Sequence, residues 1–285
     1  SAGRLVATVT TLRAGVLHVV EDCVSGSSPA EHCAAISRAV RELRGELGDR
    51  AARIGGIGVA VDGPPDDGFE AMVRAEFDGE RVLVVNAMHA QALTEEWFGA
   101  AVGLGTFAVV SVGPQVRCAV FANGGIVTGP HGDGALGRMP FGASDVDSVA
   151  STGAILGAAG RAVGNRRLTL AKARTLAQES DPRLTPVLTA AGKALGQAAG
   201  TVAAVAGLEL VVVTGDFLTE SLDLHAALGA AFTPLAGSAA LVIRSQRPED
   251  TARAAAATVL RHIIESGFRT EAGTVKAFTP GPSPG

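Results

Sequence analysis

Residues 84–99 read VVNAMHAQALTEEWFG, and this stretch constrains the fold more than any other. A short apolar run ends in a polar turn and passes at once into helix-forming residues. Strand and helix are joined with almost no loop, as in a βα unit, and chains of such units form sheets covered by helices. The turn carries Asn86, Ala87, Met88 and His89. Polar side chains just past a strand end are a common location for ligand sites in α/β proteins. The residue after Asn86, where a carboxylate would serve chemistry, is an alanine.

The same grammar runs along the chain. RLVATVTTL and GVLHVVEDCV alternate as two strands around the turn RAG. SPAEHCAAISRAVRELRGELG follows at helical spacing, with Ser28 placed to cap and Pro29 at the first helical position. RIGGIGVAVDGPPDDG reads as a buried strand ending in a Pro/Gly loop, RVLVVN as another buried strand, and AQALTEEWFG as a helix. The first hundred residues thus read ββαβ-loop-βα. TFAVVSVG and VRCAVFANGGIVTG then open a second hairpin, and GPHGDGALGRMPFG is a glycine-rich irregular loop. Residues 145–207 are mostly helical, LELVVVTGDF and SAALVIRSQ are strands, and EDTARAAAATVLRHIIESG is a closing helix. The order of elements repeats weakly between the halves. The expectation is an α/β protein of two lobes with a cleft between them, where small ligands bind.

Composition narrows the function. Apolar residues make up 47% of the chain and aromatics 4%, so the core is built from small side chains on closely packed elements. A net charge of -4 is wrong for a nucleic-acid surface, and pairs such as Arg166 and Arg167 read as solvated. The three cysteines are odd in number and match no zinc spacing, so reduced thiols and a cytoplasmic location are expected. No uninterrupted apolar run reaches membrane-spanning length. Residues 271–285, rich in Pro and Gly, are expected to form a flexible tail.

Several stretches taken in order resemble the ROK family of repressors and sugar kinases. GIGVAVDGPPDDG is similar to its strand and Pro-Gly loop, and VLVVNAMHAQALTEEWFG to the segment that holds its Asn-Asp pair. VVSVGPQVRCAVFANGGIVTGPHGDGALGRM resembles its phosphate loop, hairpin and sugar loop. DSVASTGAIL and LVVVTGDF are similar to a following helix start and to its adenosine-side strand. The resemblance implies an actin-like ATPase fold of two lobes. The first spans residues 1–106 and is completed by a C-terminal helix over 249–267; the second spans 107–248.

The departures from the family pattern bear on chemistry. The resemblance implies a general base after Asn86, and Ala87 cannot accept a proton. Asn86 can also simply cap its helix. The phosphate loop reads Gly113, Pro114, Gln115, Val116 and Arg117. Pro114 lacks a donor, and the residues after it add bulk where close approach to phosphate is needed. Arg117 reads as ion-paired surface before anion site. The first hairpin turn carries no acid to hold Mg²⁺. In the sugar loop, Ala135 stands for a family Glu and Arg138 for a family His, and an arginine, always protonated, ligates no metal. No metal site and no cofactor are expected. Asp147 fits either a family acidic position or a helix N-terminal carboxylate. Lone histidines such as His89 and His131 are more often structural.

Asp62, Asn86, His89, Asp133 and Arg138 remain the candidates for a ligand-binding cleft. The expected protein is a non-catalytic, effector-sensing and dimerising ROK-type regulator, a homodimer with a small-molecule effector or none. DNA contact would come only through a winged helix-turn-helix, of which this chain shows no pattern, and no membrane contact is expected. The dimer expectation also draws on the Ala-rich helical segment 151–207, whose small side chains allow close packing. Two other readings are an active sugar kinase using Asp62, His89 or Asp133 as base, and a ligand-free dimerisation module. Each lost charge-assisted hydrogen bond removes about 1.5–3 kcal/mol of binding, so an effector here need not be a plain hexose.

Overall fold

A computed structural model of the chain describes residues 3–24, 26, 28–63, 65–129, 134–215, 221–247 and 249–266. The strands β1 (Gly3–Thr10) and β2 (Val16–Val24) form an antiparallel hairpin, and α1 (Pro29–Leu47) packs on it. Ser28 caps α1 in a capping box with Glu31, as the Ser-Pro start of that run requires. The strand β3 (Ile57–Val61) follows, then α2 (Asp67–Glu76), β4 (Val82–Asn86) and α3 (Ala87–Phe98). β3 and β4 are parallel neighbours.

The helix α2 corrects the reading of residues 66–80 as a plain loop. Asp66 accepts a hydrogen bond from the Phe69 amide and caps the helix, and Phe69, Val73 and Phe77 recur at four-residue spacing. Those three side chains fill the core with Cys33 and Ile36 of α1 and with Val82 and Val84 of β4. The Pro/Gly run before the helix masked this signal. Burial, and then the negative charge of Glu76, raise the pKa of the Cys33 thiol. Cys118 is also buried and Cys23 is exposed, all three as free thiols.

The second lobe is built on a mixed five-stranded sheet. Its strands are β5 (Phe107–Val112), β6 (Val116–Ala122), β7 (Gly125–Ile126), β10 (Leu210–Gly215) and β11 (Ala240–Ser245), in the order β11-β10-β5-β6-β7. Between β7 and β10 lie β8 (Pro140–Phe141), β9 (Ser144–Asp145) and the helices α4 (Asp147–Ala150), α5 (Thr152–Ala162), α6 (Leu170–Gln178) and α7 (Thr185–Ala206). The helix α8 (Leu222–Phe232) connects β10 to β11. The central strands are apolar throughout because both faces are covered. Ala108, Val110, Val211 and Val213 face the α5–α8 side, whereas Phe107, Val109 and Val212 face Met88 and Ala92 of α3. The last helix, α9 (Asp250–Ser266), returns to pack on β1, β3, β4 and α3.

The helices α7 and α8 lie unusually close. A Cβ added at Gly192 would meet the Ala227 Cβ at 2.9 Å, at Gly196 the Ala231 Cβ at 2.8 Å, and at Gly200 the Leu235 Cβ at 2.9 Å. The small-residue stripe of α7 is therefore spent within the chain, against α8.

In the first lobe, β1–β2 and β3–β4 are two separate two-stranded sheets. A cavity of about 930 Å³ lies between β1 and β3, bounded above and below by α1 and α9.

The α7–α8 contact yields a paired prediction. Gly196→Ala should destabilise the chain by about 1–3 kcal/mol, because the new methyl meets α8 main chain. Gly229→Ala, inside α8 with nothing within 4 Å of the added Cβ, should be neutral or stabilising by up to about 1 kcal/mol. Urea denaturation of both variants checks this, and equal effects would contradict the packing described.

Candidate functional site

The parallel register of β3 and β4 sets Val61 opposite Asn86, so Asp62 and Ala87 leave adjacent strand ends together. Both line the first-lobe cavity, at its cleft end. Asn86 is buried, and its side-chain oxygen accepts the Met88 amide at 2.8 Å and the His89 amide at 3.2 Å. It is the N-cap of α3 and satisfies two of the amides that a helix start leaves without an intrahelical partner. Of its two open readings, capping is the one the geometry realises. Ala87 is the first residue of α3 and is buried, so its methyl group belongs to the core. His89 is half-buried in the first turn of the same helix.

The ROK resemblance makes the β1–β2 and β5–β6 turns the counterparts of the family's phosphate-binding turns. In the β1–β2 turn four amides donate within the turn itself. The Thr11 amide donates to the Gly15 carbonyl at 2.8 Å and the Ala14 amide to the Thr11 carbonyl at 2.9 Å. The Arg13 and Gly15 amides both donate to the Thr11 hydroxyl. In the β5–β6 turn, the Gly113 amide donates to the Gln115 carbonyl at 3.3 Å, and Pro114 has no N–H. The Val116 amide donates to the Asp147 carboxylate at 2.6 Å.

Asp147 thus holds the amide that follows Gln115 in this turn. The same carboxylate lies over Gly137, close enough to exclude any side chain there. It pins the β5–β6 turn to the short 3-10 turn Leu136–Arg138 that carries the sugar-loop residues. Sequence reading had noted Asp147 without its partner, because the partner amide lies 31 positions upstream. Nearby, the Ser148 hydroxyl and then its amide hold the Asp145 carboxyl below the usual carboxylate range.

The remaining candidates fall apart in space. Ala135 and Arg138 are exposed and line a separate surface groove of about 590 Å³ with Met139 and Val202. They do not share the cavity of Asp62 and Ala87. Asp133 and His131 lie outside the described residues, as do 271–285. Arg117 was not among the cleft candidates, yet it spans the lobes. Its guanidinium donates to the Gln115 side chain at 3.1 Å and comes within 3.9 Å of a Cβ built at Gly63. Gly113, Pro114 and Gln115 therefore form a closed turn, braced by Asp147 on one side and Arg117 on the other.

No group of three or more metal-ligating side chains occurs among the described residues. No helix among them is long and apolar enough to cross a membrane.

No family model and no curated protein matches the sequence. The three-dimensional structure does match solved proteins. A ROK family transcriptional regulator, a homologue of the E. coli MLC protein, aligns with a TM-score of 0.77 over 91% of this chain and 75% of that one, at 17% identity. Its fold is that of the ROK proteins. A ROK family glucokinase from Streptomyces griseus, solved with glucose and AMPPNP, aligns at 0.76 over 92% of this chain and 100% of its own, at 14% identity. A ROK hexokinase from Thermus thermophilus aligns at 0.70 over 90% and 98%, at 19% identity. The ROK scaffold thus serves regulation in one of these proteins and phosphoryl transfer in others. The fold alone does not choose between them.

The turn geometry makes a direct prediction. Asp147→Ala should destabilise the chain by about 1.5–3 kcal/mol, since it removes a charged acceptor from the Val116 amide. Asp147→Asn should recover part of that loss through its amide oxygen. Chemical denaturation of the two variants gives the answer, and wild-type stability in Asp147→Ala would mean the carboxylate does not brace the turn.

Proposed function

We propose that this chain is a non-catalytic ROK-type protein of the regulatory kind, which senses a small molecule in the cleft and does not phosphorylate it. The observation that carries the reading is the state of the two phosphate-facing turns. The amides of Thr11, Arg13, Ala14 and Gly15 in one turn and of Gly113 and Val116 in the other donate within the chain, that of Val116 to the carboxylate of Asp147. Phosphoryl transfer depends almost wholly on positioning and electrostatic stabilisation of the phosphates, and donors already spent supply neither. Ala87 adds the loss of a base, which alone is worth about 10²–10⁴ in rate. The cleft keeps Asp62 as its polar group beside Ala87, suited to a hydroxyl or amine donor on a small ligand.

A coupled assay with ATP, Mg²⁺ and a panel of hexoses and amino sugars should show no turnover above background. A rate of about 1 s⁻¹, the low end for kinases, would overturn the reading and make Asp62 the candidate base. A thermal-shift screen of sugars and sugar phosphates should raise the melting temperature for at least one compound, and nucleotides should not.

We propose a homodimer on the ROK resemblance and on the small-residue faces of segment 151–207 other than the α7 face that meets α8. Sedimentation at micromolar concentration should give twice the chain mass of 28.6 kDa. A single monomer species would refute it.

A further inference from the structure

Residues 148–178 hold the basic side chains Arg161, Arg166, Arg167, Lys172 and Arg174 and no carboxylate, in a chain whose net charge is -4. The first four are exposed and gather where α5 hands over to α6. Among the described residues none of these four enters an ion pair. Arginines elsewhere are tied down, Arg38 to Asp22, Arg44 to Glu80 and Arg261 to Glu96. The next carboxylates along the chain, Glu179 and Asp181, lie past the far end of α6, about 13 Å along a helix of 9 residues. Asp181 already pairs with Arg183 at 2.6 Å. The turn that displays the cations is fixed. The Asn165 amide donates to the Gly160 carbonyl at 2.8 Å, its carbonyl accepts the Leu168 amide at 3.2 Å, and its side-chain oxygen accepts the Arg167 amide at 3.0 Å. The turn sits so tightly on α5 that a Cβ added at Gly160 would meet the Asn165 carbonyl oxygen at 2.8 Å. Leu168 is buried beneath it, and the Thr169 hydroxyl caps α6 by accepting the Lys172 amide.

We propose that the α5–α6 turn is a docking surface for a short acidic segment of a partner polypeptide, whose carboxylates pair with Arg161, Arg166, Arg167 and Lys172. A guanidinium is a planar fork that matches a carboxylate with two hydrogen bonds, and three of the four cations are arginines. Like charges held together on one turn repel each other, and a bound anion relieves that repulsion. The locked turn also lowers the ordering entropy that binding must overcome. A nucleic-acid duplex matches the surface less well. Its charges recur about every 1.7 Å along its axis, so its phosphates would run past the four cations onto a chain of net negative charge. A short run of carboxylates ends where the cations end. The inference does not rest on the proposed sensing role, because the surface uses no residue of the cleft or of the phosphate-facing turns.

The test titrates the full chain against a fluorescein-labelled peptide Gly-Glu-Ser-Glu-Ser-Glu-Gly, its Lys counterpart and a short labelled DNA duplex, read by fluorescence anisotropy. The Glu peptide should bind and the Lys peptide should not. Raising the salt from about 50 mM to about 500 mM should weaken the complex at least about tenfold. Arg166→Glu combined with Arg167→Glu should lower the affinity by at least about tenfold, the effect of one lost charge-assisted hydrogen bond. The melting temperature should not change, because both side chains are exposed. Arg166→Gln combined with Arg167→Gln should show a loss in the same direction without reversing charge. Arg50→Glu combined with Arg53→Glu makes the same charge change on exposed side chains of the first lobe and should leave the affinity as it was. Asn165→Ala keeps all four cations but unlocks their turn, and should weaken binding several-fold. Absence of Glu-peptide binding at about 1 mM would overturn the proposal. So would equal losses in the two charge-reversed variants, which would mark general attraction, or tighter binding of the duplex than of the peptide, which would mark a nucleic-acid surface.

Discussion

The fate of backbone amides organises this molecule. A buried N–H or C=O without a partner is costly, so a folded chain either satisfies such groups internally or offers them to something else. At the two phosphate-facing turns the chain has taken the first course. Thr11, its neighbours and the Asp147 carboxylate absorb the donors that would otherwise point outward. Between β1 and β3 no ladder closes the sheet, and the two strands line a cavity.

Much of that architecture was legible in the sequence because burial writes itself into periodicity. FAVVSV and LVVVTG are apolar at every position because both faces of the central sheet are covered, by α3 on one side and by α5 to α8 on the other. The joint at Asn86 was legible for a local reason, since a helix beginning one residue after a strand needs a capping side chain there. The helix α2 was missed because Pro64, Pro65 and Gly68 crowd its start, and turn-forming residues outweighed the Phe69–Val73–Phe77 spacing. The site was legible only as a set of missing groups. That Ala87 lacks a carboxylate can be read from the letter itself. That Asp147 accepts the Val116 amide cannot, because the contact exists only in the folded chain.

The α7 stripe shows why composition misleads about partners. Small residues at every fourth position permit close helix approach without saying which helix approaches. Here Gly192, Gly196 and Gly200 receive α8 of the same chain. Period-2 patterns carry the same ambiguity: alternation in β1 places Leu5, Ala7 and Val9 on one face but does not name the neighbouring edge. Local patterns fix which face is buried, and long-range geometry fixes against what.

The helix α3 ties these features into one mechanical unit. Its first turn holds the Asn86 cap and Ala87, its inner face packs Met88 and Ala92 into the second-lobe core, and its far end is clamped to the closing elements. Glu95 pairs with Arg244 of β11 at 2.9 Å, and Glu96 with Arg261 of α9 at 2.7 Å. Single ion pairs of this exposure contribute little to stability, but two from adjacent residues to different elements fix the rotation of the helix about its axis. A rotation of α3 about its axis would break both pairs and withdraw Met88 from its core. The helix therefore presents Ala87 beside Asp62 at the strand ends, where its methyl group lines the cavity and can take no proton.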